Sequence, residues 1–257
     1  YNRTKSKAEA LAGERARVYD SPGRVASESD VVFTMLSTPD AVQEVALGDE
    51  GLLTGMSKGK VWIDSSTVNP SFSKQMAELT EQMGYKFLDA PVGGSIVPAE
   101  KGELVFLIGG PKTIVKYCTP LFKVMGRKHV HVGEAGMGSA LKLINNLVMG
   151  LSVYAFTEGL VLGESFGISK EQIFDLMEGS PVAAQIVSLK RKKIEQGDFK
   201  AEFPLQWQQK DLQLAADSAY EQGVGLPGTN TVKEIYALAK RAGLGEKDFT
   251  AIYEFLS

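Results

Sequence analysis

The sequence predicts an α/β domain with a doubly wound, mostly parallel β-sheet, followed by an all-α domain. The first half of the chain alternates short β-branched runs with helical patterns, the runs are almost continuously apolar, and no convincing strand follows Gly136. Strands that alternate with helices form βαβ units, and strands buried on both faces are typical of parallel sheets. A Gly-rich break lies at residues 133–137, so we expect the two domains to cover residues 1–135 and 136–257.

The β-branched runs predict five strands in the first domain, and the patterns between them predict four helices. The predicted strands cover residues 31–36, 61–66, 87–92, 105–108 and 129–132. The predicted helices cover residues 6–13, 39–47, 71–83 and 113–125. Pro or Gly residues stop the last three strands, because these residues turn or break the chain.

The second domain is predicted to contain helices only. A long helix over about residues 138–166 is apolar nearly all round and carries small residues, which predicts close packing and burial. Further helices are expected over residues 170–179, 183–195, 206–222, 230–242 and 248–256. Apolar helices can form either the core of a single subunit or a contact between subunits. We expect a homodimer or homotetramer formed through this domain.

The composition of the 257 residues is that of an ordinary globular protein, with 44% hydrophobic and 23% charged residues. The net charge of −3 argues against a nucleic-acid partner, because such binders normally carry a basic excess. The most apolar run, residues 147–156, is too short to span a bilayer, so no membrane partner is expected. The single cysteine, Cys118, fits a reducing compartment, and we expect a cytoplasmic protein, with organellar targeting left open because signals before Tyr1 cannot be judged.

Small or polar residues follow the first three predicted strands, at the edge where an open parallel sheet binds its ligands. The candidates are Ser37, Thr38 and Pro39 after the first strand, Ser65, Ser66 and Thr67 at the end of the second, and Gly93, Gly94 and Ser95 after the third. Met35 and Leu36, the last residues of the first strand, are further cofactor-binding candidates. Exposed backbone N–H groups in such turns suit phosphate, pyrophosphate or carboxylate groups. The alternative is that these residues only cap the helices that follow.

The first residues of the chain predict a choice of dinucleotide. At the end of the second strand of a dinucleotide-binding fold, an acidic residue binds the ribose of NAD, whereas an Arg accommodates the 2′-phosphate of NADP. Asn2, Arg3 and Thr4 include a cation and no carboxylate, so they favour NADP if they occupy that position. Taken without a fingerprint, a solvated helix start is the better interpretation of these residues. The G-x-G-x-x-G fingerprint is not in the sequence, and we expect the first strand, the Gly-rich turn and the first helix to precede Tyr1.

Lys142 and Asn146 are the candidate catalytic residues. They lie four residues apart in the long apolar helix and therefore share a face, roughly 5–6 Å apart. Burial without a partner lowers the pKa of a lysine towards neutrality, as general acid–base work requires, and an asparagine can orient a substrate oxygen. The alternative is a lysine whose charged end extends into solvent, with the asparagine bonding a neighbouring helix.

Other polar residues carry weaker signals. Lys210 and Asp211 are adjacent in a predicted helix, and an exposed charge pair is the usual interpretation of such a pair. His129 and His131 alternate on a strand without ligand-like spacing, so no metal site is expected. Neither histidine follows a strand end, which argues against a Ser-His-Asp triad.

Four motifs occur in order along the chain. They are Asp64-Ser-Ser-Thr-Val-Asn-Pro70, Asp89-Ala-Pro-Val-Gly-Gly-Ser95, Gly136-Met-Gly-Ser-Ala-Leu-Lys-Leu-Ile-Asn-Asn146 and Lys210-Asp211. Together they resemble the β-hydroxyacid dehydrogenase family, which includes 3-hydroxyisobutyrate dehydrogenase and shares its NAD-binding domain with 6-phosphogluconate dehydrogenase. The stretch from Phe203 to Leu212 and the ending around Tyr253 resemble the glyoxylate/succinic semialdehyde reductase branch in particular.

The resemblance implies a Rossmann-like domain that binds NADP, with NAD possible, and the reduction of a small aldehyde acid such as glyoxylate or succinic semialdehyde to the hydroxy acid. It implies that Lys142 protonates the carbonyl oxygen and that Asn146 holds it. The backbone of the turn at Gly93, Gly94 and Ser95 would bind the substrate carboxylate.

The resemblance also covers positions further from the reacting atoms. Thr67 and Lys210 match cofactor-contacting positions of the family, and Phe203 and Asp211 match positions that line the active-site cleft. Family members usually carry Ser where this chain has Gly93, so the choice of substrate stays open.

Three other functions are weighed against this one. A 3-hydroxyisobutyrate-type dehydrogenase and a non-catalytic, dehydrogenase-like dinucleotide-binding module both fit the resemblance, although Lys142 favours catalysis. A 6-phosphogluconate dehydrogenase is disfavoured, because it carries His where this chain has Asn145.

Overall fold

The computed structural model describes residues 1–13 and 15–257. These residues divide into two compact units, Tyr1–Lys142 and Leu143–Ser257. The first unit contains the β-sheet and the second is built from helices. The prediction of an α/β domain followed by an all-α domain is confirmed.

Among the described residues, six strands of the first unit form one sheet. They are β1 (Val31–Thr34), β2 (Val61–Asp64), β3 (Lys86–Asp89), β4 (Val92–Gly93), β5 (Leu104–Gly109) and β6 (Gly126–Gly133). The order is β1-β2-β3-β5-β4, with β6 paired to β5. Strands β1 to β3 are parallel, β5 is antiparallel to β3 and β4, and β6 is parallel to β5. The sheet is therefore mixed, with the predicted parallel part first and a reversal of direction at β5.

The third predicted strand is two strands, because the ladder breaks at Pro91. Asp89 pairs with Gly109, at the end of β5, whereas Val92 pairs with Phe106, further back along the same strand. A proline has no N–H to donate to a ladder, and the carbonyl of Pro91 accepts the N–H of Leu107 at 2.9 Å. Strand β4 consequently continues past the carboxyl end of β3, and the turn after it lies farther out than the tails of β1 and β2.

The long helices of the first unit have nearly the predicted bounds, whereas the short ones differ from the prediction. They are α1 (Lys5–Glu9), α2 (Pro22–Ser27), α3 (Pro39–Leu47), α4 (Leu52–Gly55), α5 (Pro70–Gln82), α6 (Ile96–Glu100) and α7 (Lys112–Met125). Helices α2, α4 and α6 were not predicted, because four to six residues are too few to show a helical period. Helix α1 ends earlier than predicted, since it buries no side chain that would extend it.

Both faces of the sheet are covered in its first part. On β2, Trp62 packs into one apolar cluster with Phe87, whereas Ile63 packs into a second cluster with Phe122 on the other face. Strand β6 differs, because within the described part of the chain it pairs with β5 alone and leaves most of its residues exposed or half-buried. The prediction that residues 129–132 form a strand buried on both faces is wrong, because His131 is exposed and the other three residues are only half-buried.

Helices make up the second unit, and α8 begins at the end of the first. The helices are α8 (Met137–Ser165), α9 (Lys170–Met177), α10 (Gln185–Gln196), α11 (Leu205–Glu221), α12 (Pro227–Ala239) and α13 (Ile252–Leu256). Helix α12 starts three residues earlier than predicted, because Pro227 occupies its first turn, where proline is tolerated. The last predicted helix is divided into a 3₁₀ turn, Phe249–Ala251, and α13. The core of this unit includes Leu160, Phe174 and Tyr236.

The surroundings of α8 differ from the prediction of burial all round. Its inner face is buried through Val153 and Leu160, whereas Ile144, Val148 and Leu162 on the other side are exposed. By length and composition alone, α8 could cross a membrane, and 28% of its most apolar window is buried inside the protein. The same length and composition occur in core helices of soluble proteins.

Candidate active site

The tails of β1 and β2 are joined to each other by side chains. Thr34 Oγ1 donates to Asp64 Oδ1 at 2.8 Å, and the N–H of Leu36 donates to Ser66 Oγ at 2.9 Å. Thr38 in turn accepts the N–H of Ala41 at the start of α3. Thr38 therefore caps α3, as the capping alternative predicts, whereas Ser66 joins the tails of the two strands.

Asp64 is a buried carboxyl at the end of β2. Its Oδ1 accepts from Thr34 and from the N–H of Ser66, and Trp62 Nε1 donates to the same threonine hydroxyl. Burial raises the pKa of Asp64 above its usual value. Its Oδ2 has no hydrogen-bond partner among the described residues. Asp64, the acidic residue of the first motif, thus connects the ends of β1 and β2.

The remaining candidates on these tails are accessible. Met35 and Ser37 are exposed, and Leu36 and Thr67 are half-buried. Because β1 and β2 are parallel neighbours, these residues lie at the same edge of the sheet. An edge of this kind is where parallel α/β sheets bind ligands.

The predicted carboxylate-binding turn follows β4. Gly93 is half-buried, whereas Gly94 and Ser95 are exposed. Gly94 has a φ of 118°, and a Cβ there would lie 3.1 Å from side-chain atoms of Leu104 and Pro98. A side chain is therefore disfavoured at Gly94, and its backbone remains open to a ligand.

Asp89, at the end of β3, binds the start of α8. The N–H of Gly136 donates to Asp89 Oδ1 and the N–H of Ser139 donates to Oδ2, both at 2.8 Å. Burial raises the pKa of Asp89, and these two N–H groups oppose that shift. The second motif therefore anchors the helix that carries the third.

Two glycines of the third motif allow this close approach. A Cβ at Gly138 would lie 2.3 Å from the carbonyl oxygen of Leu107 on β5. Gly136 has a φ of 89°, and a Cβ there would lie 2.8 Å from the carbonyl oxygen of Pro70. Gly136 and Gly138 therefore allow close backbone packing at the start of α8.

Lys142 and Asn146 lie one turn apart on α8, as predicted. Lys142 is half-buried, and Asn146 is only 2% exposed. Lys142 follows Ser139 by three residues, so the turn that Asp89 anchors leads directly into the turn that carries the lysine.

Asn146 is held by residues of α11. Asn146 Nδ2 donates to Asp211 Oδ2 at 2.5 Å, and Gln208 Nε2 donates to the backbone carbonyl of Asn146 at 3.0 Å. Asn145 Nδ2 donates to Asn146 Oδ1 at 3.0 Å. A Cβ at Gly150 would lie 2.3 Å from Gln208 Nε2, so that glycine makes room for the glutamine. The orientation of the Asn146 amide is thereby determined.

Lys210 and Asp211 are not an exposed pair. Lys210 Nζ lies 3.0 Å from Asp211 Oδ1, and their side chains are 17% and 2% exposed. The interpretation as a surface ion pair is wrong, because α11 presents Asp211 to Asn146 and shields both charges from solvent.

Phe203 is placed by a buried ion pair. Its N–H donates to Asp248 Oδ2 at 3.3 Å, and its ring packs against Phe249 with centroids 5.9 Å apart. Lys190 Nζ binds the same Asp248 oxygen at 3.2 Å and Glu202 Oε2 at 2.8 Å. The hydrogen bond from Lys190 lowers the pKa of Glu202. The segment before α11 is thus anchored on both sides of Phe203.

Asn2, Arg3 and Thr4 are exposed at the start of the chain. The N–H of Thr4 donates to Asn2 Oδ1 at 2.9 Å, which shapes the turn before α1. Lys5 Nζ, just after this turn, pairs with Asp20 Oδ1 at 2.8 Å. No group of three or more metal-ligating side chains that could hold an ion occurs within residues 1–13 and 15–257.

Sequence reasoning missed three residues that shape these sites, namely Asp89, Gln208 and Asp248. Asp89 begins the second motif, and Gln208 lies two residues before Lys210. The motifs therefore pointed to these positions, but they did not indicate which residues Asp89 and Gln208 would contact. Asp248 lies outside the motifs, and the only signal it offers is an acidic residue before a short apolar helix.

Two family models together match almost the whole chain. The NAD binding domain of 6-phosphogluconate dehydrogenase matches residues 1–133. The second family model, described as NAD-binding of NADP-dependent 3-hydroxyisobutyrate dehydrogenase, matches residues 136–256.

Known proteins resemble the chain over nearly its full length. Glyoxylate/succinic semialdehyde reductase 2, chloroplastic, of Arabidopsis thaliana is 36% identical over 256 residues, which cover 100% of this chain and 72% of the relative. Glyoxylate/succinic semialdehyde reductase 1 of the same plant is 34% identical, over 99% of this chain and 88% of the relative. The structure of Mycobacterium tuberculosis 3-hydroxyisobutyrate dehydrogenase with L-serine has a TM-score of 0.90 at 30% identity, over 99% of this chain and 88% of that one.

The fold, the motifs and these matches define an NAD(P)-dependent oxidoreductase with a Rossmann-like domain followed by a helical domain. The chain belongs to the β-hydroxyacid dehydrogenase family.

Proposed function

We propose that this protein uses NADPH to reduce a small aldehyde acid, with glyoxylate and succinic semialdehyde as the first candidates. The observation that carries the proposal is the pair Lys142 and Asn146 on α8, with the Asn146 amide held by Asp211 and Gln208. Relatives named for these two substrates support the choice.

Lys142 is assigned the proton transfer and Asn146 the orientation of the carbonyl oxygen. An amide nitrogen carries two hydrogens, and Asn146 commits one of them to Asp211, so the other can bind an oxygen atom. A lysine cation stabilises the negative charge that develops on a carbonyl oxygen during reduction, and it can donate its proton there. When the cofactor is bound, its nicotinamide supplies the hydride.

The substrate carboxylate is assigned to the turn of Gly93, Gly94 and Ser95. The turn offers backbone N–H groups, and the glycines place no side chain over them. Phe203 and Asp211 are assigned to the wall of the substrate site, with Phe203 anchored through Asp248.

The cofactor fits the chemistry of the residues assigned to it. Asn2, Arg3 and Thr4 are exposed and include no carboxylate, which suits the 2′-phosphate of NADP. The further cofactor-binding assignments are Met35, Leu36, Ser37 and Thr67 at the ends of β1 and β2, and Lys210 on α11.

The proposal is tested by following NADPH oxidation with glyoxylate and with succinic semialdehyde. We expect turnover of at least one of them and a higher kcat/KM with NADPH than with NADH. No turnover of either aldehyde would contradict the proposal. Turnover of 3-hydroxyisobutyrate with NAD would instead support the dehydrogenase alternative, which the likeness to the mycobacterial structure favours.

Arg3→Asp should shift the cofactor preference from NADP towards NAD. The carboxylate removes the cation that would bind the 2′-phosphate and can accept hydrogen bonds from a ribose hydroxyl. The measurement is the ratio of kcat/KM for NADPH to that for NADH, which we expect to fall by about tenfold or more, corresponding to about 1.4 kcal/mol. Lys7→Asp makes an equal charge change at an exposed position of α1, is the control and should leave the ratio nearly unchanged.

A further inference from the structure

Lys190 is a buried lysine of α10 that lies outside the four motifs. The residue is 7% exposed, and among residues 1–13 and 15–257 no other lysine is buried. The residues that follow it, Arg191 and Lys192, are half-buried and exposed. Because a buried cation is costly unless it is paired, the partners of Lys190 indicate what it holds in place.

The cation of Lys190 lies where two distant segments of the second unit meet. Its Nζ is 3.2 Å from Asp248 Oδ2 and 2.8 Å from Glu202 Oε2. It also lies over the ring of Phe249, 5.3 Å from the centroid, where a cation is attracted to the aromatic face. All three partners either precede Phe203 directly in the chain or contact it.

Asp248 holds the backbone at Phe203 through one carboxylate oxygen. The N–H groups of Glu202 and Phe203 donate to Oδ2 at 3.0 and 3.3 Å, and Lys190 donates to the same oxygen. Two consecutive N–H groups that converge in this way form a small anion-binding concavity. The other oxygen, Oδ1, accepts from the N–H and the hydroxyl of Thr250. Asp248 is fully buried, so both of its oxygens have their partners within the protein.

Phe203 is fixed at two further points by the next residue, Phe249. The carbonyl of Phe203 accepts the N–H of Phe249 at 2.9 Å. The two rings pack edge to face with centroids 5.9 Å apart, and Phe249 is itself buried. The N–H, the carbonyl and the ring of Phe203 are therefore all held by Asp248 and Phe249, which leaves the ring little freedom to move.

An ion cluster of a different kind occurs one residue further along α10. Arg191 forms ion pairs at 2.8–2.9 Å with Asp175, Glu178 and Glu195. Its guanidinium lies over the ring of Phe174 in the core. These partners lie on α9, directly after it, or on α10, and not next to Phe203. Substitution of the two neighbouring cations therefore distinguishes support of the core from positioning of Phe203.

We propose that Lys190, acting through Asp248, is a positioning residue for Phe203 and thereby determines how well the aldehyde substrate fits. The inference rests on the proposed function, because it takes Phe203 as part of the wall of the substrate site. The cation of Lys190 keeps Asp248 ionised, and an ionised acceptor holds the two N–H groups more strongly than a neutral one. A wall that is fixed in advance does not have to be ordered when the substrate binds.

The first test measures how firmly Phe203 is held, without any substrate. Hydrogen exchange is followed by mass spectrometry in a peptide that contains residues 202 and 203. We expect Lys190→Met to accelerate their exchange by about tenfold or more, which corresponds to about 1.4 kcal/mol. Methionine keeps an unbranched apolar chain and removes the charge. Arg191→Met is the matched control and should leave the exchange of this peptide nearly unchanged.

The second test measures steady-state kinetics with the aldehyde that the wild type turns over. We expect Lys190→Met to raise the KM for the aldehyde about tenfold and to change the KM for NADPH by less than about twofold. Lys190→Arg keeps a cation beside Asp248 and should raise the KM for the aldehyde by less than about threefold. Arg191→Met should leave both KM values nearly unchanged, even if it lowers the stability of the second unit.

A double-mutant cycle with Phe203→Ala connects the lysine to the ring. If Lys190 acts through the position of the ring, its substitution has no further effect once the ring is removed. We expect kcat/KM of the double variant to lie within about twofold of that of Phe203→Ala alone. A purely structural role of Lys190 would instead lower kcat/KM by the same factor in both backgrounds.

A further variant keeps the test decisive if Lys190→Met does not fold. That substitution leaves the Asp248 carboxylate buried without its cation, which is strongly destabilising. Adding Asp248→Asn removes the second charge and retains a side-chain oxygen for the two N–H groups. We expect this pair of substitutions to fold, as circular dichroism shows, and to raise both the exchange rate and the KM for the aldehyde at least about threefold.

Two outcomes would overturn the proposal. One is unchanged exchange at residues 202 and 203 in the folded Lys190 variants, and the other is an equal effect of Lys190→Met with and without the ring of Phe203. Failure of the proposed function is recognised separately. In that case the wild type turns over neither aldehyde, whereas the exchange at Phe203 still responds to Lys190→Met.

Discussion

Lys142→Ala is expected to lower kcat by about 10²–10⁴-fold, the range that a general acid contributes. The alanine removes both the cation and the proton that the developing alkoxide would receive. The Kd for NADPH, measured by quenching of protein fluorescence, should change by less than about threefold, because the proposed cofactor residues lie elsewhere. Turnover that persists near the wild-type rate would refute the assignment of Lys142.

A second substitution at the same position separates charge from proton transfer. Lys142→Arg keeps a cation, but a guanidinium does not release its proton near neutral pH. We expect its kcat to stay close to that of Lys142→Ala. Lys116→Ala removes an exposed lysine from α7 and is the matched control, for which no change is expected. Recovery of most activity in Lys142→Arg would indicate that only the charge matters.

Asp89→Ala is expected to lower the free energy of unfolding of the first unit by about 2–4 kcal/mol. The change leaves the N–H groups of Gly136 and Ser139 without their acceptor, and each unsatisfied buried donor costs about 1–3 kcal/mol. Loss of the buried carboxyl, whose pKa is raised by its burial, offsets part of this cost.

The measurement is urea unfolding followed by the fluorescence of Trp62, which is fully buried in the first unit. A Trp207→Phe background removes the other tryptophan of the chain, so that only the first unit is observed. Glu100→Ala, at an exposed acidic residue of α6, is the control. Unchanged stability in Asp89→Ala would show that the start of α8 does not depend on this carboxylate. Because the same turn leads to Lys142, we expect kcat to fall more than KM rises.

Local patterns were sufficient for the long elements of the fold. Helix α3 was predicted with both ends correct, and α5, α7, α8 and α11 within one residue at each end. These helices span several turns, so their apolar period is visible in the sequence. The short helices and the division of the third strand were not predicted, because they depend on which segments pack beside them.

The residues singled out for chemistry have different surroundings in the structure. Lys142 and Asn146 share a helix with the expected spacing, and Asp211 contacts Asn146. The hydroxyl of Ser66, in contrast, accepts a hydrogen bond from the backbone of Leu36, and Lys210 forms an ion pair with Asp211 that is largely shielded from solvent. Composition could not distinguish these outcomes, because a polar residue near a strand end looks the same whether its partner is a ligand or the protein.

The sequence by itself determined the class of fold, the order of its long elements and the family, and it singled out the residues that are proposed to carry a proton or bind an anion. These properties depend on periodicity and on motifs, which are local. Only the tertiary structure decided which face of α8 is buried, where the sheet reverses, and which polar side chains hold one another. Those outcomes depend on contacts between distant segments, such as Asp89 with Gly136 across 47 residues and Asn146 with Asp211 across 65. A buried hydrogen-bonding group must find a partner, and the fold determines which one it meets.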